Sequence, residues 1–187
     1  MAKPILIGLP TKDLLAPIVT MLELSQLSGR FSGRPVTFCI GQASNIPRAR
    51  NIVMDRAREK SNEDPLGVLW IDADIVLKSG DSENLAQMIR WGEESGKAIT
   101  ANYRRSDGLS AHMADRTPYG ARNYTEELKK GQNIGMAGFG CAYIPMPRNY
   151  RFRADIIGED VYFWLDNPQL ECVYAGFGVG HMKSIIV

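Results

Sequence analysis

Two aspartates two positions apart, Asp72 and Asp74, interrupt an otherwise apolar run, Leu69-Trp70-Ile71-Asp72-Ala73-Asp74-Ile75-Val76-Leu77. Side chains alternate along an extended chain, so both carboxylates would leave the same side. At about 7 Å apart they would repel by roughly 2 kcal/mol at an effective dielectric of ~20, before any cost of desolvation. A divalent cation would reverse that sign. Carboxylate oxygens suit hard ions such as Mg²⁺ or Mn²⁺, which keep positions open for substrate phosphates, so a diphosphate is the natural second partner. A bare DxD tripeptide is better explained by a turn-capping Asp beside a solvated one, but the apolar flanks here weaken that explanation.

Other residues could complete such a site. Glu159 and Asp160 open an amphipathic stretch, Gly158-Glu159-Asp160-Val161-Tyr162-Phe163, where acids also favour the positive end of a helix. Upstream, Asn45 can cap a helix with Pro47 in its first turn, which leaves a positive helix end and Arg48 or Arg50 near the ligand side. Arg50 is the better candidate for a nucleotide phosphate, whereas Arg56 and Arg58 read as a solvated face. His181, in Gly176-Phe177-Gly178-Val179-Gly180-His181-Met182-Lys183, is a lone histidine after the last apolar run, and such a residue is more often a surface or packing group than a ligand. His112 has no evident partner and takes no role.

The elements that must position these groups follow from periodicity. Short apolar runs alternate with longer amphipathic ones: strand Pro4 to Leu9, helix Asp13 to Leu27, strand Pro35 to Ile40, helix Pro47 to Lys60. A strand Gly67 to Leu77, a helix Ser82 to Ser95 and a strand Lys97 to Tyr103 continue the pattern. Val36 to Ile40 and Val68 to Ile71 are continuously apolar, as strands covered on both faces must be. After about Arg104 the pattern loosens, with a strand at Cys141 to Pro145 and a short helix at Glu159 to Leu165. The expected fold is α/β: one domain over 1–187 with a mostly parallel central sheet flanked by helices. In such sheets ligands bind beyond the carboxyl ends of the strands, where Asp72 and Asp74 would sit.

Composition narrows the function classes. The chain has 187 residues, 44% hydrophobic and 23% charged, an ordinary globular mix that can bury a core without staples. Its 22 Lys+Arg nearly cancel its 21 Asp+Glu, which argues against gripping nucleic acid or anionic membrane through bulk charge. Three scattered cysteines, with no CxxC pair and one left over in any pairing, fit a reducing cytoplasm. The opening apolar stretch is too brief for a signal peptide, and no run approaches the roughly 20 apolar residues that span a bilayer.

The helix Ile46-Pro47-Arg48-Ala49-Arg50-Asn51-Ile52-Val53, the DxD strand, the Glu-Asp helix and the late His181 occur in the order found in GT-A glycosyltransferases, and together they resemble the family-two-like members. That resemblance covers the chain from about the first strand to His181. It implies a single GT-A (Rossmann-like) domain, with 1–103 binding the nucleotide-sugar and 104–187 supplying the acceptor side and completing the metal site. It also implies Mn²⁺ or Mg²⁺ on Asp72, Asp74 and His181, with Asp72 near ribose or metal. Asp160 would be the base of an inverting transfer, Glu159 would orient or assist it, and Pro10 and Thr11 would lie beside the base and ribose. The Gly-rich segment Ile134 to Ala142 is similar to the one before the acceptor-side strand, where small residues let backbone approach a sugar.

The reaction so implied moves a sugar from a UDP- or GDP-sugar to an acceptor hydroxyl, on a carbohydrate or another molecule. If Asp160 only positions the acceptor, the transfer could instead retain configuration. Two further alternatives stay open: a non-catalytic nucleotide-sugar or carbohydrate-binding module, and a sugar nucleotidyltransferase. The latter usually carries a Gly-rich phosphate loop that Ile7-Gly8-Leu9-Pro10-Thr11-Lys12-Asp13 matches poorly.

Overall fold

A computed structural model describes residues 3–13, 16–61, 66–104, 110–111, 113–117, 120–123, 127–147, 149–153 and 158–181. His112, Met182 and Lys183 lie outside the described residues. In chain order the first half comprises β1 (Ile5–Thr11), α1 (Ile18–Gln26), β2 (Val36–Gln42), α2 (Ile46–Ser61), β3 (Val68–Ile71), β4 (Ile75–Val76), α3 (Asp81–Ser95) and β5 (Ala98–Arg104). The second half comprises β6 (Ser110–Ala111), β7 (Met113–Thr117), β8 (Gly120–Asn123), β9 (Asn133–Ile134), β10 (Met136–Ala137), β11 (Cys141–Ile144), α4 (Glu159–Asp166) and β12 (Cys172–His181).

The large sheet runs β2-β1-β3-β11-β5-β12-β4. β1 is parallel to β2 on one side and to β3 on the other, so strand order reverses at β1. A crevice between the carboxyl ends of β1 and β3 is where such a reversal places ligands. The sheet is mixed rather than wholly parallel: β11 runs antiparallel between β3 and β5, and β12 is parallel to β5. Since β3 and β5 both oppose β11, the ends of β1, β2, β3, β5 and β12 share one edge of the sheet. Asp72 follows β3 at that edge, and His181 ends β12 there.

Alternation along the strands divides the core. Ile5, Ile7, Leu69, Ile71 and Ile99 face Leu24 and Leu27 near α1 and Leu85 and Ile89 on α3. Leu6, Val68, Trp70, Ala98 and Ala142 face Val53, Met54 and Ala57 on α2 and Phe163 and Trp164 on α4. Helices therefore cover both faces, as the apolar run of β3 requires, whereas β2, the other run expected to be covered on both sides, is an edge strand with Phe38 exposed.

Three departures from the sequence-based elements have local causes. The first helix starts at Ile18 rather than Asp13, with Pro17 at its N-cap, because a proline inside the helix would remove a hydrogen bond and clash with the preceding turn. The expected strand Gly67 to Leu77 is two strands: Asp72 N donates to Gly140 O at 2.9 Å, and Ile75 N donates back to Asp72 O at 3.0 Å, closing a turn over Asp72 to Ile75. The loose region after Arg104 holds a small antiparallel sheet, β10-β7-β8.

α1 is tied to the segment that follows this turn. Thr20 Oγ1 donates to Ile75 O at 2.7 Å and accepts from Leu77 N at 3.1 Å, while Glu23 Oε2 accepts from Ser82 N at 3.1 Å at the start of α3. On the opposite face, β2 meets α2 at Gly41, where a Cβ would collide with the backbone carbonyl of Ala49. Backbone cannot rotate aside as a side chain can. Gly41→Ala is therefore expected to destabilise by about 1–3 kcal/mol, read as a fall of several degrees in a thermal melt.

Among the described residues no helix is long and apolar enough to cross a membrane. Cys39, Cys141 and Cys172 are all buried and free.

Candidate active site

Arg50 organises the site. Asn45 Oδ1 accepts the Arg48 N–H at 2.9 Å and caps α2, so the first turn of that helix is set at the sheet edge. Arg50, one turn in, is only 1% exposed. Its guanidinium lies over the rings of Phe139, Trp70 and Phe152 at 5.0, 5.5 and 5.9 Å. Arg50 Nη2 is 3.4 Å from Asp72 Oδ1 and 3.4 Å from Asp160 Oδ1, and Nε is 3.3 Å from Glu159 Oε1. The turn after β3 and the start of α4 thus meet on one buried cation.

These ion pairs are long for charge-assisted hydrogen bonds, which run about 2.7–2.9 Å. Asp72 Oδ1 and Asp160 Oδ1 lie within ion-pair reach of Arg50, yet neither accepts a hydrogen bond among the described residues, and Arg50 Nη1 also has no hydrogen-bond partner. One planar fork is shared by carboxylates from two elements and satisfies none of them fully.

Proton affinities follow from that excess of negative charge. Burial pushes the Asp160 carboxyl up, Arg50 opposes it, and Glu159 and Asp72 push it further, to about 7. Burial likewise raises Asp72, against the pull of Arg50 and with the help of Asp74 and Glu159. For Arg50 burial acts to lower the value, but Asp72, Asp160 and Glu159 outweigh it and hold the guanidinium firmly charged. The carboxyls rise chiefly because they are buried, and the guanidinium rises because three acids outweigh its burial.

A pH dependence of stability follows. Between about pH 4 and 7 the native Asp160 keeps a proton that the unfolded chain, near its ordinary 3.9, releases. The native state then binds more protons, so stability falls as pH rises. This contribution is fully present below about 4 and is lost as pH passes about 7. Thermal unfolding in EDTA should therefore show the midpoint declining from pH 5 to pH 8, with a shallower decline in Asp160→Asn. Parallel pH profiles for the two proteins would refute this.

The acidic helix is held from several directions. Asp160 Oδ2 accepts the Phe139 N–H at 3.2 Å, and Trp164 Nε1 donates to Ala137 O at 2.6 Å. Asn51, beside Arg50, grips the backbone of Phe152 like a sheet partner: Nδ2 donates to its carbonyl at 2.7 Å and Oδ1 accepts its N–H at 2.8 Å. Asn51→Ala strands both groups and is expected to cost about 1–3 kcal/mol. Chemical denaturation would show this as a lower midpoint with an unchanged slope.

Asp74 turns the other way. Its Oδ2 lies 3.1 Å from His181 Nε2, where β12 pairs with β4 through His181 and Ile75. Tyr103 stacks on the His181 ring, 6.0 Å between centroids and 11° between planes, and His181 Nδ1 is buried without a hydrogen-bond partner among the described residues.

The expected site residues are therefore brought together, with changes of role. Asp72 and Asp74 do not share the face of a strand; the turn sends one to Arg50 and the other to His181. His181 is the last residue of β12. Arg50 is buried against carboxylates, not poised for a phosphate. Among the described residues no group of three or more His, Cys, Asp or Glu side chains is disposed to hold a metal, so Asp72, Asp74 and His181 are not a preformed triad. Asp74 and His181 face each other, while Asp72 is engaged with Arg50.

Pro10 and Thr11 are buried in β1. The open surface at that edge belongs instead to a cleft of about 660 Å³ lined by Lys12, Asp13, Gln42, Ala43, Ser44, Arg48 and Ile52. The members of the carboxylate cluster do not line it. The aromatic box of Trp70, Phe139 and Phe152, the Asn51 clamp and the stacked Tyr103 were not singled out from sequence. Asn51 stood next to the chosen Arg50; the aromatics carried no signal apart from their apolar runs.

Comparison with protein-family models and with curated protein sequences finds no match. The functional reading rests on the residues and their geometry.

Proposed function

We propose that this chain is a metal-dependent glycosyltransferase of the GT-A kind, moving a sugar from a UDP- or GDP-sugar to an acceptor hydroxyl with inversion. The observation that carries the reading is the meeting of Asp72, Glu159 and Asp160 around Arg50, next to the Asp74–His181 pair, at the carboxyl edge of the sheet beside the strand-order reversal at β1.

In this reading Asp74 and His181 hold Mn²⁺ or Mg²⁺, and Asp72 lies close to the same ion or to the donor's ribose. The ion, when bound, supplies positive charge that stabilises the departing diphosphate. Asp160 accepts the proton of the attacking hydroxyl, a task suited to a carboxylate whose proton affinity lies near neutrality. Glu159, held by Arg50 Nε, orients that end of α4. The cleft lined by Lys12, Gln42, Ser44 and Arg48 offers polar and cationic groups to the nucleotide.

Calorimetric titration with UDP and with GDP, in Mn²⁺ and again in EDTA, tests the reading. Metal-dependent binding of one nucleotide supports it and names the donor class. Binding of neither would remove it.

A further inference from the structure

We propose that the free edge of β2 is a docking site for an extended peptide segment of a partner protein, one whose side chains alternate between apolar and acidic.

The backbone of β2 has two sides. Ile5 N donates to Pro35 O at 2.9 Å and Ala43 N donates to Thr11 O at 3.1 Å, so alternate residues from Pro35 to Ala43 commit their backbone groups to β1. The residues between them, Val36, Phe38, Ile40 and Gln42, turn theirs outward. Among the described residues no strand pairs with that side. Arg56 of α2 donates to Ile40 O and caps one of these carbonyls. For the rest of the row, the partner whose own N–H and C=O groups repeat at the same spacing is an extended chain.

The two ends of the sheet are built differently. β4, at the far end, holds only Ile75 and Val76, and Thr20 already donates to the Ile75 carbonyl. Shortness and capping are common ways to keep an edge from pairing. β2 instead runs through Val36-Thr37-Phe38-Cys39-Ile40-Gly41-Gln42 without a charge, a proline or a bulge, in unbroken register with β1. Apart from the Arg56 cap, the strand carries none of the features that deter an added strand.

Side-chain chemistry selects the occupant. Val36 and Ile40 pack toward the core under α1 and α3, which puts Phe38 on the same face, 36% exposed. Cys39 faces the other way, toward α2. Burial pushes its thiol up, to about 11, and the two charges that oppose the rise are those of Arg56 and Lys60. Both are exposed, one helical turn apart on α2, and with Glu59 between them they leave a net positive strip over that face. An added strand presents alternate side chains to the two faces. Those beside Phe38 gain from being apolar, and those near Arg56 and Lys60 from being acidic. A second copy of β2 supplies no acids, and its two-fold pairing would set the two cationic strips side by side on one face of the joined sheet.

The test uses the full chain and two blocked synthetic peptides as long as β2, one alternating valine with glutamate and the other valine with lysine. The acidic peptide should bind, shift the ¹⁵N–¹H signals of Phe38 and Ile40 and slow the exchange of their amide protons. The basic peptide should bind at least about fivefold more weakly, and Arg56→Glu should narrow that difference. The wild-type comparison stands by itself should the variant fail to fold. Binding of neither peptide overturns the proposal, as does equal binding of both, or binding that leaves Phe38 and Ile40 unmoved. An unchanged difference in a folded Arg56→Glu overturns it too. A two-chain mass by light scattering, with the same two signals moving on dilution, overturns it in favour of a second copy. None of these readouts depends on sugar transfer.

Discussion

Asp160→Asn should lower sugar transfer by about 10²- to 10⁴-fold, the range expected when a positioned general base is removed, while Mn²⁺-dependent binding of the nucleotide is kept. The substitution is nearly isosteric, and its amide oxygen can still accept the Phe139 N–H that Asp160 accepts now. What it loses is the capacity to take a proton. The folded protein should not suffer: burial and neighbouring acids hold the Asp160 proton to about 7, so a neutral side chain relieves repulsion at higher pH. In the wild type the rate should rise as pH passes through that region, because only the carboxylate form accepts the proton. Release of UDP or GDP from the sugar donor in the presence of acceptor reports the rate. Full activity in the variant would exclude Asp160 as the base and favour the reading in which it only positions the acceptor.

Asp74→Ala should abolish Mn²⁺-dependent nucleotide binding with little change in stability. Asp74 lies in the turn after β3, with its side chain 39% exposed and paired to His181. Exposed substitutions of this kind usually change stability by less than about 0.5 kcal/mol. Binding should change far more, because carboxylate is the ligand class that hard divalent ions demand and His181 alone is a poor substitute. Calorimetry with the nucleotide in Mn²⁺ reads the loss, and a thermal melt verifies the fold. Unaltered binding would sink the assignment of Asp74, and with it the metal-dependent reading.

Much of the architecture was open to a reading of the sequence. The strand Val36–Gln42 and the helices Ile46–Ser61 and Glu159–Asp166 lie within a few residues of the expected bounds. Each announces itself locally, through apolar period, a capping Asn45 or a pair of acids at a helix start. The site residues were legible for a related reason. A charged pair inside an apolar run is costly wherever it falls, so Asp72 and Asp74 stand out before any fold is known. The errors were also local in origin: Pro17 shortened α1, and the cost of burying two acids in a strand broke Gly67 to Leu77 into β3, a turn and β4.

The sequence by itself determined the α/β class, the order of the main elements up to Arg104 and the residues that carry charge into the core edge, but not the small strands between Arg104 and Cys141. Only the tertiary structure decided what those charges do. Arg50 meets Glu159 across 109 positions and His181 meets Asp74 across the β12–β4 pairing, so neither partnership has a periodic trace in the chain. Nor does the insertion of β11 antiparallel between β3 and β5, which brings Gly140 onto Asp72 and Phe139 onto Asp160. Hydrophobic period reports how one segment sits on the core. Electrostatic partnership is set by sheet order and register, which exist only once distant segments have packed.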